Sequence, residues 1–284
     1  MYVEVGPASL VIRGEKNGKA HAFLRKEVES LVADILRDIR ECLPVLRQRA
    51  HRIRNVSALP EVAKRMTAAA KMVSETTLTP MAAVAGTVAD MVKEHFTARD
   101  IDLLMVNNGG DLSIFNATGR ALTVGIGDIV TGKVTPYVIR LKDMRDLGMA
   151  TSGFGGRSLT LGIADTVTAI AGTGAVADAA ATHICNRTTI EAGAVVRKAA
   201  ELVDPETDIP DEDVTVEVGP LSDALIAQAL ARGLGTARDL TDRNIIDYAV
   251  VALKGSIVTT ETGNKNKNIT LEVQDGNQED RHHR

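Results

Sequence analysis

Hydrophobic periodicity changes character several times along this chain, and the order of those changes restricts the folds open to it. Residues 2–13 alternate apolar and polar positions around Gly6-Pro7, which predicts two short strands joined as an edge hairpin. Over residues 22–42 the period lengthens. Leu24, Val28, Leu31, Val32, Ile35 and Ile39 fall at helical spacing and predict one amphipathic helix. Further helices are expected over 60–73 and 80–96, each opening on a Pro whose missing N–H costs nothing in a first turn. Between residues 102 and 126 the runs LLMVNN, DLSIF and LTVGI, separated by Gly109-Gly110 and by residues 116–119, predict an antiparallel meander. Strands at 136–141 and 159–170 extend it, and helices over 175–185 and 190–203 follow. The acidic, two-proline stretch DPETDIPDED at 204–213 reads as a loop. A strand at 214–218, a helix at 222–232 and a strand at 248–258 complete the order. Strands and helices come in blocks rather than in strict alternation. That pattern predicts an α+β fold of layered sheet and helices, mostly antiparallel, and not a doubly wound sheet.

Composition narrows the function classes. A chain of 284 residues with 44% hydrophobic content can build a substantial core, expected as a single α/β domain, or two intimate lobes, over 1–260. Residues 261–284 are polar and charged, the composition of a disordered tail. With net charge −4 and pI near 5.9 the surface offers no global attraction to nucleic acid or anionic lipid, and neither is an expected partner. Cys42 and Cys185 stand far apart, as two reduced thiols of a cytoplasmic protein would. No signal-like start is present, and the longest weakly polar stretch, 161–181, is interrupted by Asp165 and Asp178, so membrane insertion is not expected. Aromatic residues make up only 2%, which leaves few platforms for stacking flat rings. A homodimer is the default expectation for an intracellular enzyme of this size.

Two motifs fail on context. Residues 127–134, GDIVTGKV, nearly spell a phosphate-binding P-loop, but the final hydroxyl is replaced by Val134 and a strand follows where a helix is required. Gly153-Phe154-Gly155-Gly156 lacks the spacing and the following helix of a dinucleotide fingerprint. Three other segments carry more. In VNNGGDLSIF a strand runs into two glycines and an acid, so exposed N–H groups at Gly109 and Gly110 could line an anion, with polar contacts from Asn107, Asn108 and Asp111; a plain hairpin turn is the alternative. MATSGFGGRSLTLG packs four hydroxyls, four glycines and Arg157 into one loop, where Thr151, Ser152 and Gly153 could wrap a phosphate that Arg157 neutralises. In AVADAAATHIC, Asp178 and Thr182 stand four apart on a predicted helix and share a face. A carboxylate and a hydroxyl so placed can hold a hard cation such as Mg²⁺; a helix-start Asp with Thr182 bonded back to a carbonyl is the bland reading. The run containing Arg47, Arg49, His51, Arg52 and Arg54 could meet phosphates or be a solvated helix face.

Taken in order, PMAAVAG at 80–86, NNGGD at 107–111, ATSGFGGRSLTLGIAD at 150–165 and VTAIAGTGAVADAAAT at 167–182 resemble the ApbE-like superfamily, and within it the uncharacterised protein family 0280. The resemblance implies an ApbE or T-fold-like unit. In the flavin-transferring relatives a magnesium-dependent site splits FAD and moves FMN onto a Thr of a target protein. By that resemblance Asp178 and Thr182 would hold Mg²⁺, with the Ala85 carbonyl completing the contacts. FAD or FMN would lie against Asn107 to Asp111 and Thr151 to Gly153. The chain departs from those relatives where they carry a lysine and a tyrosine around 84–90 and a histidine before the valine-rich strand. Asp165, Asp111 and His183 are therefore the candidate proton carriers. The expected function is Mg-assisted chemistry, transfer or phosphoester cleavage, on a phosphate-bearing or flavin-like small molecule. The alternatives are a non-catalytic flavin or nucleotide binder and an oligomerising scaffold.

Overall fold

The computed structural model describes residues 1–127, 134–156, 158–260 and 268–274; most of the near-P-loop segment and Arg157 lie outside them. The chain opens with β1 (Tyr2–Val5), β2 (Ala8–Lys16) and β3 (Lys19–Ala20), then α1 (Arg25–Leu46), α2 (Glu61–Ser74), a 3-10 turn at Pro80–Ala83 and α3 (Val84–Thr97). Its middle is strand-rich: β4 (Leu103–Asn108), β5 (Asp111–Asn116), β6 (Leu122–Gly127), β7 (Val134–Leu141), β8 (Asp146–Ser152) and β9 (Thr166–Ala171). There follow α4 (Gly174–Asn186), β10 (Val195–Ala199), α5 (Ala200–Val203), β11 (Asp213–Val218), α6 (Asp223–Asp242), β12 (Tyr248–Leu253), β13 (Ser256–Thr259) and β14 (Ile269–Val273).

Nine strands form one antiparallel sheet in the order β1-β2-β4-β5-β8-β9-β12-β13, with β3 beside β2. A three-stranded sheet, β14-β7-β6, and a two-stranded ribbon, β10-β11, complete an α+β fold whose strands pair antiparallel, as the blockwise sequence pattern predicts. Successive side chains of a strand point to opposite faces, so the central strands divide between two cores. Val167, Ala169 and Ala171 of β9, with Ala249, Val251 and Leu253 of β12, join the core built with the helices. Ile170, Tyr248 and Val250, from the same two strands, pack with Ile126, Ile139 and Ile269 under the small sheet. Among the described residues no helix is long and apolar enough to cross a membrane.

Helix α4 sits at the centre, against α2, α3, α6, β8 and β9. A helix hemmed in on so many sides needs small residues all round. Ala177, Ala179, Ala180 and Ala181 supply them and are buried. Backbone meets backbone at its start. A Cβ on Gly148 of β8 would stand 2.1 Å from Gly174 N, and one on Gly86 of α3 would stand 2.1 Å from Gly174 O. The helix starts are cross-linked by two carboxylates. Asp90 of α3 accepts the N–H groups of Gly174 (2.8 Å) and Ala175 (2.9 Å), and Asp178 of α4 accepts the N–H of Gly86 (3.0 Å). Each helix thus supplies the carboxyl oxygens that accept orphan N–H donors at the start of the other.

Three expectations are corrected. The span 190–203 is not one helix: Val195–Ala199 is a strand paired with β11, and only Ala200–Val203 is helical. β-branched Val195-Val196 favours the extended ribbon, and the pairing with β11 overrides the helix-forming composition of the segment. The strand expected at 159–170 is confined to Thr166–Ala171, because Gly162 comes so close to the Cys185 carbonyl that a Cβ would lie 1.7 Å away and the chain is held in a loop by the Thr188 hydroxyl. Within the expected tail, Ile269–Val273 pairs with β7 and buries Ile269; the alternation ITLEV is that of an edge strand with one apolar face.

The close approach at α4 yields a stability prediction. Gly148→Ala should lower unfolding free energy by about 3 kcal/mol, since backbone and not a movable side chain blocks the added methyl. Gly235→Ala, in the interior of α6 with open space around it, should instead raise stability by about 1 kcal/mol. Chemical denaturation of both variants checks the pair; equal effects would contradict the packing described.

Candidate functional site

The site begins at the tight turn between β4 and β5. Gly109 and Gly110 both adopt positive φ, 67° and 118°, which closes the hairpin in two residues and pairs Asn108 with Asp111. The side chain of Asn107 accepts the Gly110 N–H (2.8 Å), and Gly109 N donates to Ser9 O (3.1 Å). Asn108 is buried and bridges two elements: its Oδ1 accepts Ser9 N (3.2 Å) and its Nδ2 donates to Ala85 O (3.2 Å) at the start of α3. The turn thus does its own structural work, and its N–H groups are not all aimed at a ligand. Asp111 reaches across to β8, where it accepts the N–H of Thr151 (3.3 Å); the Thr151 and Thr168 hydroxyls meet at 3.1 Å.

Above this turn the α3–α4 crossing places Asp178 and Thr182 one helical turn apart. Burial, then the neighbouring Asp111 carboxylate, push the Asp178 carboxyl well above the usual carboxylate range, while the N–H groups of Gly86 and Ala85 pull the other way. The Thr182 hydroxyl hydrogen-bonds to no described residue. The helical threonines Thr67, Thr87, Thr236 and Thr241 each bond back to the carbonyl four residues earlier. Thr182 does not follow them, so its oxygen is left to the space it lines.

That space is a cleft of about 1140 Å³, slightly larger than the usual range of small-molecule sites, roughly 300–1,000 Å³. It brings together Ala85, Asn108, Gly109, Asp111, Thr151, Asp178, Thr182 and His183 of the expected residues. Five other described residues of that set do not line it. Asn107 and Gly110 close the turn upon each other, the Ser152 hydroxyl is bound to the Cys185 thiol, and Gly153 holds a turn through the Gly156 N–H (3.2 Å). Asp165 accepts the Lys254 N–H at the β12–β13 turn, away from the cleft. His183 borders the cleft with its Nδ1 3.3 Å from the Thr77 hydroxyl; burial, then the Arg187 and Arg243 charges, lower the ring to about 4, so it is neutral at pH 7. Burial raises the Cys185 thiol to about 11, which leaves it inert.

One wall was not legible as such. Residues 203–212 bring Asp204, Glu206, Asp208 and Glu212 to the cleft, and the basic run holds them there. Arg47 pairs with Glu206 (3.3 Å), Arg49 with Glu212, and the Thr79 hydroxyl donates to Asp208. Arg47 and Arg49 therefore meet the protein's own acidic loop, and the opposite charges of RQRAHRIR and DPETDIPDED were the available signal. With six carboxylates on its lining, the cleft attracts a cation more readily than a bare anion. The donor set at its floor suits a hard cation: carboxylate oxygens with lone pairs beyond those the N–H groups occupy, and a hydroxyl without a partner among the described residues. The Ala85 carbonyl already accepts Asn108 Nδ2, a contact that a cation would compete with. Among the described residues no group of three His, Cys, Asp or Glu could hold a metal, so any cation depends on such mixed oxygen donors.

Fold and cleft together define an α+β protein with a carboxylate-lined cleft at the crossing of two helix starts. The chain belongs to the family described as AbpE bacteria, which matches residues 1–259. It is 35% identical over 161 residues to a UPF0280 protein of Methanopyrus kandleri, covering 55% of this chain and 61% of that protein. It is 34% identical over 129 residues to one of Methanocaldococcus jannaschii, covering 45% and 50%. The chain thus spans only about half to three fifths of the length of these curated relatives. Among solved structures, the apo form of the Pseudomonas stutzeri flavinyl transferase ApbE aligns over 94% of this chain and 95% of that one, at 13% identity and a TM-score of 0.46. The family read from the ordered motifs is the family found.

The lowered His183 ring makes a pH prediction. Its folded pKa lies below the unfolded value, so the unfolded chain takes up a proton that the folded chain refuses as pH falls from about 6.5 toward 4. The contribution is intact above that window and lost within it. His183→Gln should lose less stability than the parent between about pH 7 and about pH 4.5, by roughly 1–2 kcal/mol after solvent screening. Urea midpoints at the two pH values measure it; parallel losses would contradict the assignment.

Proposed function

We propose that the cleft binds a small phosphate-bearing, flavin-like molecule together with Mg²⁺, the cation being held by Asp178 and Thr182 with the Ala85 carbonyl beside them. The observation that carries this reading is the Thr182 hydroxyl, which makes no hydrogen bond to a described residue and stands one turn from the half-buried Asp178 carboxylate. A carboxyl whose proton affinity is raised by burial and by a neighbouring carboxylate, as that of Asp178 is, would be relieved by a divalent cation or by a proton. Mg²⁺ there would neutralise phosphate charge and polarise a phosphoryl oxygen.

The chain's own residues supply the rest. Asn108 fixes the start of α3 against β2, so the wall facing the ligand does not move as charge is introduced. Leu36, Leu78, Met81 and Val88 give aliphatic lining, the kind of surface on which a chain without Trp must rest a flat ring. Asp111 is placed to hold a proton at the cleft floor, and neutral His183 can accept one at its rim. Transfer or cleavage at the phosphate is the chemistry such an arrangement serves. The low proton affinity of His183 and the engagement of Asp165 at the β12–β13 turn favour a second reading, binding without turnover.

Calorimetric titration of FMN, FAD and ADP, each with and without Mg²⁺, separates these. Mg²⁺-dependent binding is expected, weakened about tenfold or more by Asp178→Asn, whose amide oxygen can still accept the Gly86 N–H and so preserves the fold. Absence of binding in every combination sinks the proposal. Tight binding with no product after hours selects the second reading.

A further inference from the structure

Beside the cleft lies a second concavity of about 600 Å³, between the C-terminal end of α4 and one face of α6. His183 and Arg187 line both spaces, so the two are contiguous. Their charge differs in sign. The cleft is walled by carboxylates, whereas the smaller pocket is lined by Arg187, Arg232 and a single acid, Asp239, whose charge is met by Arg243 at 3.0 Å. Arg187 and Arg232 form no ion pair with a described carboxylate. Arg232 is aimed by one bond, Nη1 to the Thr189 carbonyl at 2.6 Å, which leaves its other N–H groups free of that contact. Arg232, Thr236 and Asp239 recur along α6 at helical spacing, so the pocket has a rigid wall. Two guanidinium groups lining one concavity whose single acid is already paired with Arg243 can act as planar, two-pronged donors to phosphate or carboxylate oxygens.

We propose that this pocket is an anion subsite contiguous with the cleft, in which Arg187 and Arg232 take a phosphate group at one end of the ligand whose other end reaches Asp178 and Thr182. The inference rests on the function proposed above for where the ligand's other end lies, and it defines the substrate class further: a molecule with two separated anionic groups, one requiring a cation and one not. The acidic cleft lining and the basic pocket then orient the ligand, because exchanging its ends places bare phosphate against carboxylates or a cation against two arginines.

The test is calorimetric titration of the full chain with inorganic pyrophosphate in the presence of EDTA, at low and high salt, and separately with Mg²⁺ alone. Pyrophosphate is expected to bind without the cation, more weakly as salt rises, and about tenfold or more weaker in Arg187→Gln. Arg187→Gln removes no contact that holds the fold, so it remains informative where Arg187→Gln/Arg232→Gln, which loses the bond to Thr189, fails to fold. Arg187→Lys, which keeps the charge and loses the fork, should fall between. Unchanged binding in Arg187→Gln, or no binding by the parent chain in EDTA, overturns the subsite. The arms separate the two claims: a parent chain that binds Mg²⁺ but no pyrophosphate loses only the subsite, and one that binds pyrophosphate in EDTA but no Mg²⁺ loses only the metal reading.

Discussion

The two carboxylates that cross-cap α3 and α4, Asp90 buried and Asp178 half-buried, are the interaction on which the rest of this protein depends. Asp90 on α3 satisfies the first N–H groups of α4, and Asp178 on α4 satisfies those of α3. Neither helix could start where it does alone, since a buried helix end with unpaired donors is costly. The crossing also fixes α4 against β8, because Gly86, Gly148 and Gly174 meet backbone to backbone with no room for a Cβ. Sheet, central helix and cleft floor are thereby locked into one register.

The same lock explains why the candidate site lies where it does. Asp178 cannot leave the cleft floor without releasing the start of α3, and Asn108 ties that start to β2. Asp111, held by the Thr151 N–H, completes a carboxylate pair whose mutual repulsion and burial keep the proton affinity of Asp178 high. A fold that sets like charges together in a confined space stores a demand for a proton or a cation. The acidic loop latched by Arg47 and Arg49 deepens that demand, while Arg187 and Arg232 next door reverse it.

Much of this was written in local patterns. The apolar runs LLMVNN, DLSIF and LTVGI and the helical stripe from Leu24 to Ile39 placed three strands and α1. The continuous meander expected of those strands is corrected: only β4 and β5 pair as a hairpin, β5 then pairs with β8, and β6 joins β7 in the small sheet, pairings that tertiary packing decides. Asp178 and Thr182 were legible as a pair because four residues separate them on one helix. What was not legible depended on distant partners. Asn107 and Ser152 read as ligand contacts, but their hydrogen-bonding capacity is used by Gly110 and by Cys185, and only three-dimensional proximity reveals the latter. The role of Asp90 was hidden for the same reason: a lone acid in an Ala-rich helix does not announce that it caps another helix 84 positions along the chain. The strand over Val195–Ala199 was lost to a helix-like composition, since ribbon pairing with β11 decides it and composition does not.

If the Asp178 carboxylate serves both as the cap of α3 and as a cation ligand, anomalous diffraction from crystals soaked in Mn²⁺, a stand-in for Mg²⁺ with a usable signal, should show one strong peak within coordination distance of the Asp178 carboxylate and the Thr182 hydroxyl. The Gly86 N–H should remain hydrogen-bonded to the same carboxylate. A peak confined to the acidic loop over 204–212, or no peak in the cleft at saturating Mn²⁺, would contradict the account.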